Sequence, residues 1–132
     1  MVEAVQESDL QDRTKAFALR TIKLVDALPN THSGRAVANQ LVRCALSVGA
    51  NYRAALSGRS KAEFVAKLGI VREEADESAY WFEIIIGSNL IPETRVAPLL
   101  NEATELTAIF TSSIISAKRN NQPSPSTKSL TK

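Results

Sequence analysis

The chain has few of the residue types that build catalytic and metal centres. Its 132 residues include one cysteine, Cys44, and one histidine, His32. A single cysteine excludes an internal disulfide, so nothing argues for secretion. A structural zinc site needs about four ligands, mostly Cys and His, which one cysteine and one histidine do not supply. The five glycines match no phosphate-binding loop. We therefore expect no catalytic residue, no cofactor and no metal.

Long apolar runs are also missing. No unbroken apolar run approaches the ~20 residues that a membrane-spanning helix needs. The acidic start, MVEAVQESDLQD, lacks the apolar centre of a signal peptide. With 44% hydrophobic and 23% charged residues, the composition is that of an ordinary globular protein. These features predict one domain in the cytoplasm, with no membrane partner.

Four segments carry apolar residues three and four positions apart, and none alternates like a strand. The pattern predicts helices at about 8–28, 34–56, 61–87 and 94–119, separated by turn formers such as PNTHSG and GSNLIPE. Short connections between long helices are typical of an antiparallel up-down four-helix bundle, which we expect over residues 1–120. Residues 121–132, NQPSPSTKSLTK, have no periodicity and are expected to form a disordered tail.

Local signals sharpen some of these bounds. Ser60 and Glu63 form a capping-box pattern at the start of the third helix. Gly58 suits the left-handed position that ends the second helix. The fourth helix is expected to start between residues 94 and 98, and Pro98 favours the later start or a short leading turn. The core predicted from the apolar seams comprises Phe17, Leu24, Leu41, Val48, Phe64, Leu68, Val71, Phe82, Leu99, Leu106 and Phe110.

A polar stripe interrupts the apolar second helix. In QLVRCALSVGAN, the residues Gln40, Arg43, Ser47 and Asn51 lie within about 80° of one another around the helix. On the third helix, Glu74 and Glu77 are one turn apart and adjacent to the apolar seam, where they could meet Arg43. We interpret these six residues as a structural polar seam that fixes packing or assembly. Direct contact with nucleic acid is the alternative that the residues leave open.

Some apolar residues do not fit a lone bundle. Leu46 on the second helix, and Trp81 and Ile84 on the third, lie away from the seams. Contiguous exposed apolar surface usually marks a contact, so we predict that these three residues form an interface between copies of the chain. The alternative is that Trp81 folds over the edge of its own helix.

The net charge of +2 conceals a strong segregation. Residues 13–72 hold eleven basic and two acidic residues, and residues 73–110 hold eight acidic residues and one basic residue. An up-down bundle gathers many of the bases at one end, where they would suit phosphate backbones. The predicted nucleic-acid-binding residues are Arg13, Lys15, Arg53, Arg59, Lys61, Lys67, Lys118 and Arg119. The four acids of residues 1–12 oppose this reading, and ordinary variation in surface charge is the alternative.

The acids of the third helix raise an enzymatic alternative. REEADESAYWFE is rich in carboxylates, but a di-iron site in a helical bundle needs a Glu-x-x-His pattern, which is absent. A hydrolase or nuclease that uses these acids with a divalent metal is the rival hypothesis. We expect that the protein is not an enzyme.

The block QLVRCALSVGANYRAALSGRSKAEFVAKLGIVREEADESAYWFEII resembles the bacterial four-helix-bundle proteins named for 23S rRNA intervening sequences. The shared pattern consists of Gln40, Arg43, Ser47, Asn51, Ser60, Lys61, Phe64, Lys67, Leu68, Glu74, Ala75, Glu77, Ser78, Tyr80 and Trp81. Phe82 replaces the usual Leu, and Ala54 and Ala55 stand where an acid is commoner.

The resemblance implies a bundle that assembles into a ring, commonly a homopentamer, with a mostly unknown molecular role. Similar proteins are accessory subunits of reverse transcriptases in diversity-generating retroelements, where a basic barrel engages nucleic acid. We therefore expect a homo-oligomeric accessory protein with salt-sensitive, non-specific binding of RNA or DNA, and a polymerase or reverse transcriptase as a candidate partner. The alternative is a scaffold protein that binds a protein partner and no nucleic acid.

Overall fold

The computed structural model describes residues 7–120, which form four α-helices and no strand. These are α1 (Glu7–Val25), α2 (His32–Leu56), α3 (Lys61–Gly87) and α4 (Glu93–Arg119). Consecutive helices pack side by side, and α1 makes only a short contact with α4. The predicted all-α four-helix fold is confirmed, whereas the ring stays a prediction. Residues 121–132, predicted to be disordered, lie outside the described residues, and none of the four helices is apolar enough over a sufficient length to cross a membrane.

The apolar seams meet in one continuous core. Ten of the eleven predicted core residues are buried, and the exception, Phe64, is half-buried against the core. Phe17 and Phe82 meet edge to face with their ring centroids 6.1 Å apart, which ties α1 to α3. Thr14 and Thr21 are buried on α1, where each hydroxyl donates to a backbone carbonyl one turn earlier. Their burial therefore leaves no hydroxyl donor unpaired.

Side-chain caps start two of the helices. Thr31 Oγ1 accepts a hydrogen bond from the backbone N–H of Gly34 at 3.1 Å, which caps α2. At α3, Ser60 Oγ accepts from the N–H of Glu63 at 3.1 Å, and Glu63 Oε1 accepts from the N–H of Arg59 at 2.7 Å. The capping-box residues thus act as a pair, although the glutamate reaches one residue further back than the usual motif does.

Three helix bounds differ from those expected from the sequence. α1 ends at Val25 rather than near Leu28, because the amides of Ala27 and Leu28 donate to carbonyls only three residues earlier and Pro29 follows. α2 begins two residues earlier than expected, so His32 is a helical residue rather than a turn residue. α4 begins at Glu93, so the later start that Pro98 favoured is wrong: Pro98 lies inside the helix, on its exposed side.

The prediction for Gly58 was wrong. No glycine of residues 7–120 has a positive φ, and α2 ends instead through Ser57 with φ −95°. The left-handed residue is Asn89, with φ 57°, directly after α3. The N–H of Leu90 donates to Ile85 O at 3.2 Å, and the N–H of Asn89 donates to Ile86 O at 3.1 Å. This pair of bonds is a Schellman motif, in which asparagine occupies the position that glycine usually takes.

Candidate nucleic-acid interface

Four helix ends lie together at one end of the bundle: the start of α1, the end of α2, the start of α3 and the end of α4. A single groove there is lined by Leu10, Leu56, Phe64 and Ala117, one residue from each helix. Arg53, Arg59, Lys61, Lys118 and Arg119 lie at these helix ends and are all exposed. Within residues 7–120, none of these five side chains forms an ion pair. The structure therefore brings together, at this end, positive charge that no carboxylate of the described residues neutralises.

The other three members of the predicted basic set differ in their surroundings. Lys15 is exposed and lines a second groove, between α1 and α2, together with Arg53. Lys67 is half-buried, nearly two turns into α3. Arg13 is occupied: its Nε and Nη2 donate to the two carboxylate oxygens of Glu102 at 2.7 and 2.9 Å, and Nη2 also donates to Glu105 at 2.6 Å.

These contacts of Arg13 with Glu102 and Glu105 form a clamp between α1 and α4. The clamped guanidinium is not available to bind a phosphate. Hydrogen bonding to Glu102 is the main cause that raises the pKa of the Arg13 guanidinium above its ordinary value. The sequence contained a signal for it, since Glu102 and Glu105 stand one turn apart beside the seam of α4, as Glu74 and Glu77 do on α3.

The groove at the basic end has a volume of about 880 Å³. Its floor is apolar and comes from α1, α2 and α3, with Phe64 and Leu68 contributed by α3. One wall is the last part of α4, which supplies Ser112, Ser116 and Asn120. Sequence reasoning missed the groove because hydrophobic periodicity indicates which face of a helix is buried and not how completely the helix ends cover one another.

The polar stripe of α2 divides into two parts. Arg43 Nη2 donates to Glu77 Oε2 at 2.6 Å, and Arg43 Nη1 lies 3.5 Å from Glu74 Oε1. Gln40 Oε1 accepts weakly from the same guanidinium at 3.5 Å, and the indole N–H of Trp81 donates to Glu77 at 3.2 Å. This part joins α2 to α3. Glu74 Oε1 is buried without a hydrogen bond to any described residue, so the contact with Arg43 is purely ionic.

The other part stays within α2. The amide of Asn51 donates to the carbonyl oxygen of Ser47 at 2.9 Å and to its hydroxyl at 2.7 Å, and both residues are half-buried. Among residues 7–120, these two side chains have no partner on another helix. The predicted seam is therefore a cross-helix cluster around Arg43 followed by a local Ser47–Asn51 pair.

The predicted interface residues differ in exposure. Leu46 is 38% exposed, whereas Trp81 and Ile84 are half-buried and pack against the core. The indole ring of Trp81 meets Tyr80 edge on, with centroids 5.0 Å apart. The alternative of a tryptophan folded over its own helix therefore describes part of what Trp81 does. Sequence reasoning overlooked the other large exposed apolar side chains, which are Leu19, Ile22, Ile70, Tyr80 and Ile115.

Cys44 lies at the buried interface of α2 and α3. The hydroxyl of Ser78 contacts its sulfur at 3.3 Å, and desolvation raises the pKa of the thiol. A buried thiol with a raised pKa is a poor nucleophile, which agrees with a structural role. Within the described part of the chain, no cluster of three or more His, Cys, Asp or Glu is placed to hold a metal ion.

Comparison with known proteins connects this geometry to a family. The family model for the 23S rRNA-intervening sequence protein matches residues 6–112. The crystal structure of a protein with unknown function from the S23 ribosomal protein family, from Bacteroides thetaiotaomicron VPI-5482, superposes with a TM-score of 0.77. It is 31% identical, and the match covers 84% of this chain and 99% of that one. Comparison with curated proteins gives no match. On the family match, this chain belongs to the 23S rRNA-intervening sequence protein family.

Proposed function

We propose that the protein is a non-enzymatic, homo-oligomeric accessory protein that binds RNA or DNA through the basic end of the bundle. The observation that carries the proposal is a set of exposed cations at one end that form no ion pair with any other residue of 7–120: Arg53, Arg59, Lys61, Lys118 and Arg119. Cations without carboxylate partners are free to displace counterions from phosphates, which makes binding non-specific and salt-sensitive. Arg13 is left out of this set because Glu102 and Glu105 hold it.

Oligomerisation would multiply this charge. Leu46 is 38% exposed beside Arg43, and Leu19 and Tyr80 are more than half exposed on α1 and α3. Exposed apolar side chains on both flanks of α2 support contacts between copies of the chain. We propose a homo-oligomer, with five copies as the family resemblance implies, in the bacterial cytoplasm, and a polymerase or reverse transcriptase as the protein partner.

A titration at two salt concentrations tests nucleic-acid binding. Labelled single-stranded and duplex oligonucleotides are titrated by fluorescence anisotropy at low and at physiological salt. Binding should fall steeply with salt, and Arg53, Arg59 and Lys61 changed together to Ala should lower the slope of log affinity against log salt by about 2–3. No detectable binding at low salt contradicts the proposal.

A matched control separates the basic end from the overall charge. Arg20, Lys23 and Arg35 lie away from the groove, near the end of α1 and the start of α2, and are exposed. Changing these three to Ala removes the same charge and should leave most of the binding intact. Equal losses in the two triple variants would mean that binding follows net charge alone.

The second candidate is a scaffold protein that binds a protein partner and no nucleic acid. It is favoured by the exposed Leu46 beside the Arg43–Glu77 pair, because mixed apolar and charged surfaces are common at protein interfaces.

Sedimentation measures the assembly: a single species of 14.3 kDa at micromolar concentration would contradict the oligomer. Trp81→Ala should loosen the assembly more than it lowers helix content.

The proposal also excludes catalysis, which needs its own test. The rival hydrolase or nuclease would use the acids of α3 with a divalent metal. We expect no stoichiometric metal in the purified protein by mass spectrometry. Tightly bound metal that disappears in a variant carrying both Glu74→Gln and Glu77→Gln would support the rival.

A further inference from the structure

The basic residues of the bundle end alternate along the chain with residues that line the groove. Arg59 stands between the lining residues Gly58 and Ser60, and Lys61 itself lines the groove. Lys118 and Arg119 stand between Ala117 and Asn120, which line it from α4. A phosphate backbone that follows these cations would therefore run along the edge of the groove, within reach of its interior.

The floor of the groove offers an aromatic ring. Tyr52 is only 4% exposed and packs against Phe110, with centroids 5.3 Å apart. Phe64 is half-buried, and within residues 7–120 no other aromatic ring packs against it. It is also the one predicted core residue that the bundle does not bury completely. A partly exposed ring among aliphatic neighbours is a platform for a flat apolar group.

The α4 wall offers polar groups in the same groove. Ser112, Ser116 and Asn120 line the groove, and among the described residues their side chains have no hydrogen-bond partner. Hydroxyl and amide groups both donate and accept, so they suit the mixed edge of a nucleobase. The volume of about 880 Å³ lies within the range of ~300–1,000 Å³ that is common for small-molecule sites, and a base fits within it.

We propose that the groove receives an unpaired base of a single-stranded nucleic acid, which stacks on Phe64 while its flanking phosphates lie against Arg59, Lys61, Lys118 and Arg119. The inference rests on the proposed function, since it needs nucleic acid at the basic end, and it goes further by naming the strand class and the side chain that selects it. Stacking tolerates all bases because each has a π-face, so the site prefers single strands without reading sequence. A duplex would contact the cations alone.

The test uses the full-length chain and two matched probes. The probes are a single-stranded oligodeoxyadenylate containing 2-aminopurine and the same strand annealed to its complement. In the wild type, 2-aminopurine fluorescence should change on binding of the single strand, because the base moves from its own stack into the groove. Phe64→Leu should lower single-strand affinity about tenfold and leave duplex affinity unchanged. Phe64→Trp should keep the affinity, and its indole fluorescence should be quenched on binding.

Two controls lie outside the groove. Ile22→Ala removes an apolar side chain that is 36% exposed near the end of α1, and it should change neither affinity. The second control is Thr104→Glu, which is matched to the groove variant Ser116→Glu. Ser116→Glu places a negative charge on the α4 wall and should weaken single-strand binding. Thr104→Glu places the same charge nearer the other end of α4 and should have a smaller effect. Circular dichroism and thermal melting of each variant check that the bundle is folded.

The outcomes separate this inference from the proposed function. If the triple Ala variant of Arg53, Arg59 and Lys61 loses binding but Phe64→Leu binds single strands as the wild type does, the groove inference is wrong and the proposed function stands. If the wild type binds neither probe at low salt, both are wrong. A loss of equal size for single strand and duplex in Phe64→Leu also overturns the groove inference, because it shows a general structural effect.

Discussion

Two arginines each join a pair of helices by contacting two glutamates one turn apart. Arg13 joins α1 to Glu102 and Glu105 of α4, and Arg43 joins α2 to Glu74 and Glu77 of α3. The pattern is the same, but the surroundings differ. α2 and α3 pack extensively through buried side chains, whereas α1 and α4 touch over a short stretch.

The difference shows what each clamp contributes. Arg13 makes three short hydrogen bonds, and Glu102 is only 15% exposed, so this pair closes the part of the bundle where apolar packing is thin. Arg43 is 52% exposed and has one short contact, to Glu77, on an interface that is already packed. Exposed ion pairs contribute little to stability, so Arg43 is better placed to meet a partner than to hold the fold. Each of the following predictions tests this contrast.

The largest effect should come from the ring that anchors α1. Phe17 is completely buried against Phe82, and Phe17→Ala should cost about 3–5 kcal/mol. Since α1 makes only a short contact with α4, native-state hydrogen exchange should show a selective loss of protection in α1. Phe110→Ala, an equal truncation in α4, is the control and should loosen α4 and its neighbours instead. Uniform loss of protection in both variants would mean that α1 is not a separate cooperative unit.

The next largest effect should be a difference in the free energy of unfolding between variants of the two clamp arginines, Arg13 and Arg43. Arg13→Met keeps the aliphatic stem but leaves Glu102 without its partner, and it should cost about 1–2 kcal/mol in urea unfolding. Arg43→Met should cost about 0–1 kcal/mol, because its guanidinium is largely solvated. Adding Glu102→Gln to Arg13→Met should restore part of the lost stability. Equal costs for the two arginines would remove the distinction between a structural clamp and a surface clamp.

The sequence predicted one clamp and not the other, for a physical reason. Arg43 stands in a polar stripe on an apolar helix that is followed directly by a helix with two matching acids, so neighbouring helices suffice to pair them. The pairing of Arg13 has a matching signal in Glu102 and Glu105, one turn apart on the fourth helix, but it joins the first and last helices, which become neighbours only when the whole bundle closes. Periodicity fixes which face of a helix is buried, but it does not specify the contact between distant helices.

The same limit applies to the candidate site. The gathering of bases at one end follows from helix order alone, and so it was predictable. The groove with Phe64 in its floor was not, since spacing places Phe64 in the seam but does not show how far a residue in the first turn of α3 is buried. Local side-chain and backbone contacts determine where a helix ends, and hydrophobic spacing does not show them. At the end of α3, for example, Asn89 takes the left-handed position that glycine usually occupies.

A smaller effect should come from the buried thiol between α2 and α3. Burial raises the pKa of Cys44 in the folded protein, so the folded state holds its proton at a pH where the unfolded chain releases it. Stability should therefore be unaffected below the unfolded pKa of about 8.5 and should fall above it, by up to about 1.4 kcal/mol for each pH unit. The measurement compares urea unfolding of the wild type and Cys44→Ala from neutral to alkaline pH. A difference between them that does not change with pH would show that the α2–α3 interface admits water to the thiol.

The smallest effect contrasts two helical glycines, one at the contact with α1 and one away from it. An added Cβ at Gly69 of α3 meets no heavy atom within 4 Å, so Gly69→Ala should gain about 0.8–1 kcal/mol from helix propensity. At Gly49 of α2, the added Cβ would lie 3.1 Å from Thr14 Oγ1 of α1, an atom held by its 2.8 Å hydrogen bond to Leu10 O. There the gain should be cancelled by crowding, leaving Gly49→Ala within about 0.5 kcal/mol of the wild type. Thermal melting should show a rise of about 4 °C for Gly69→Ala and little change for Gly49→Ala. An equal rise in both would mean that α1 shifts away from α2 at little cost, and that the first helix is held even more loosely than its short contact with α4 indicates.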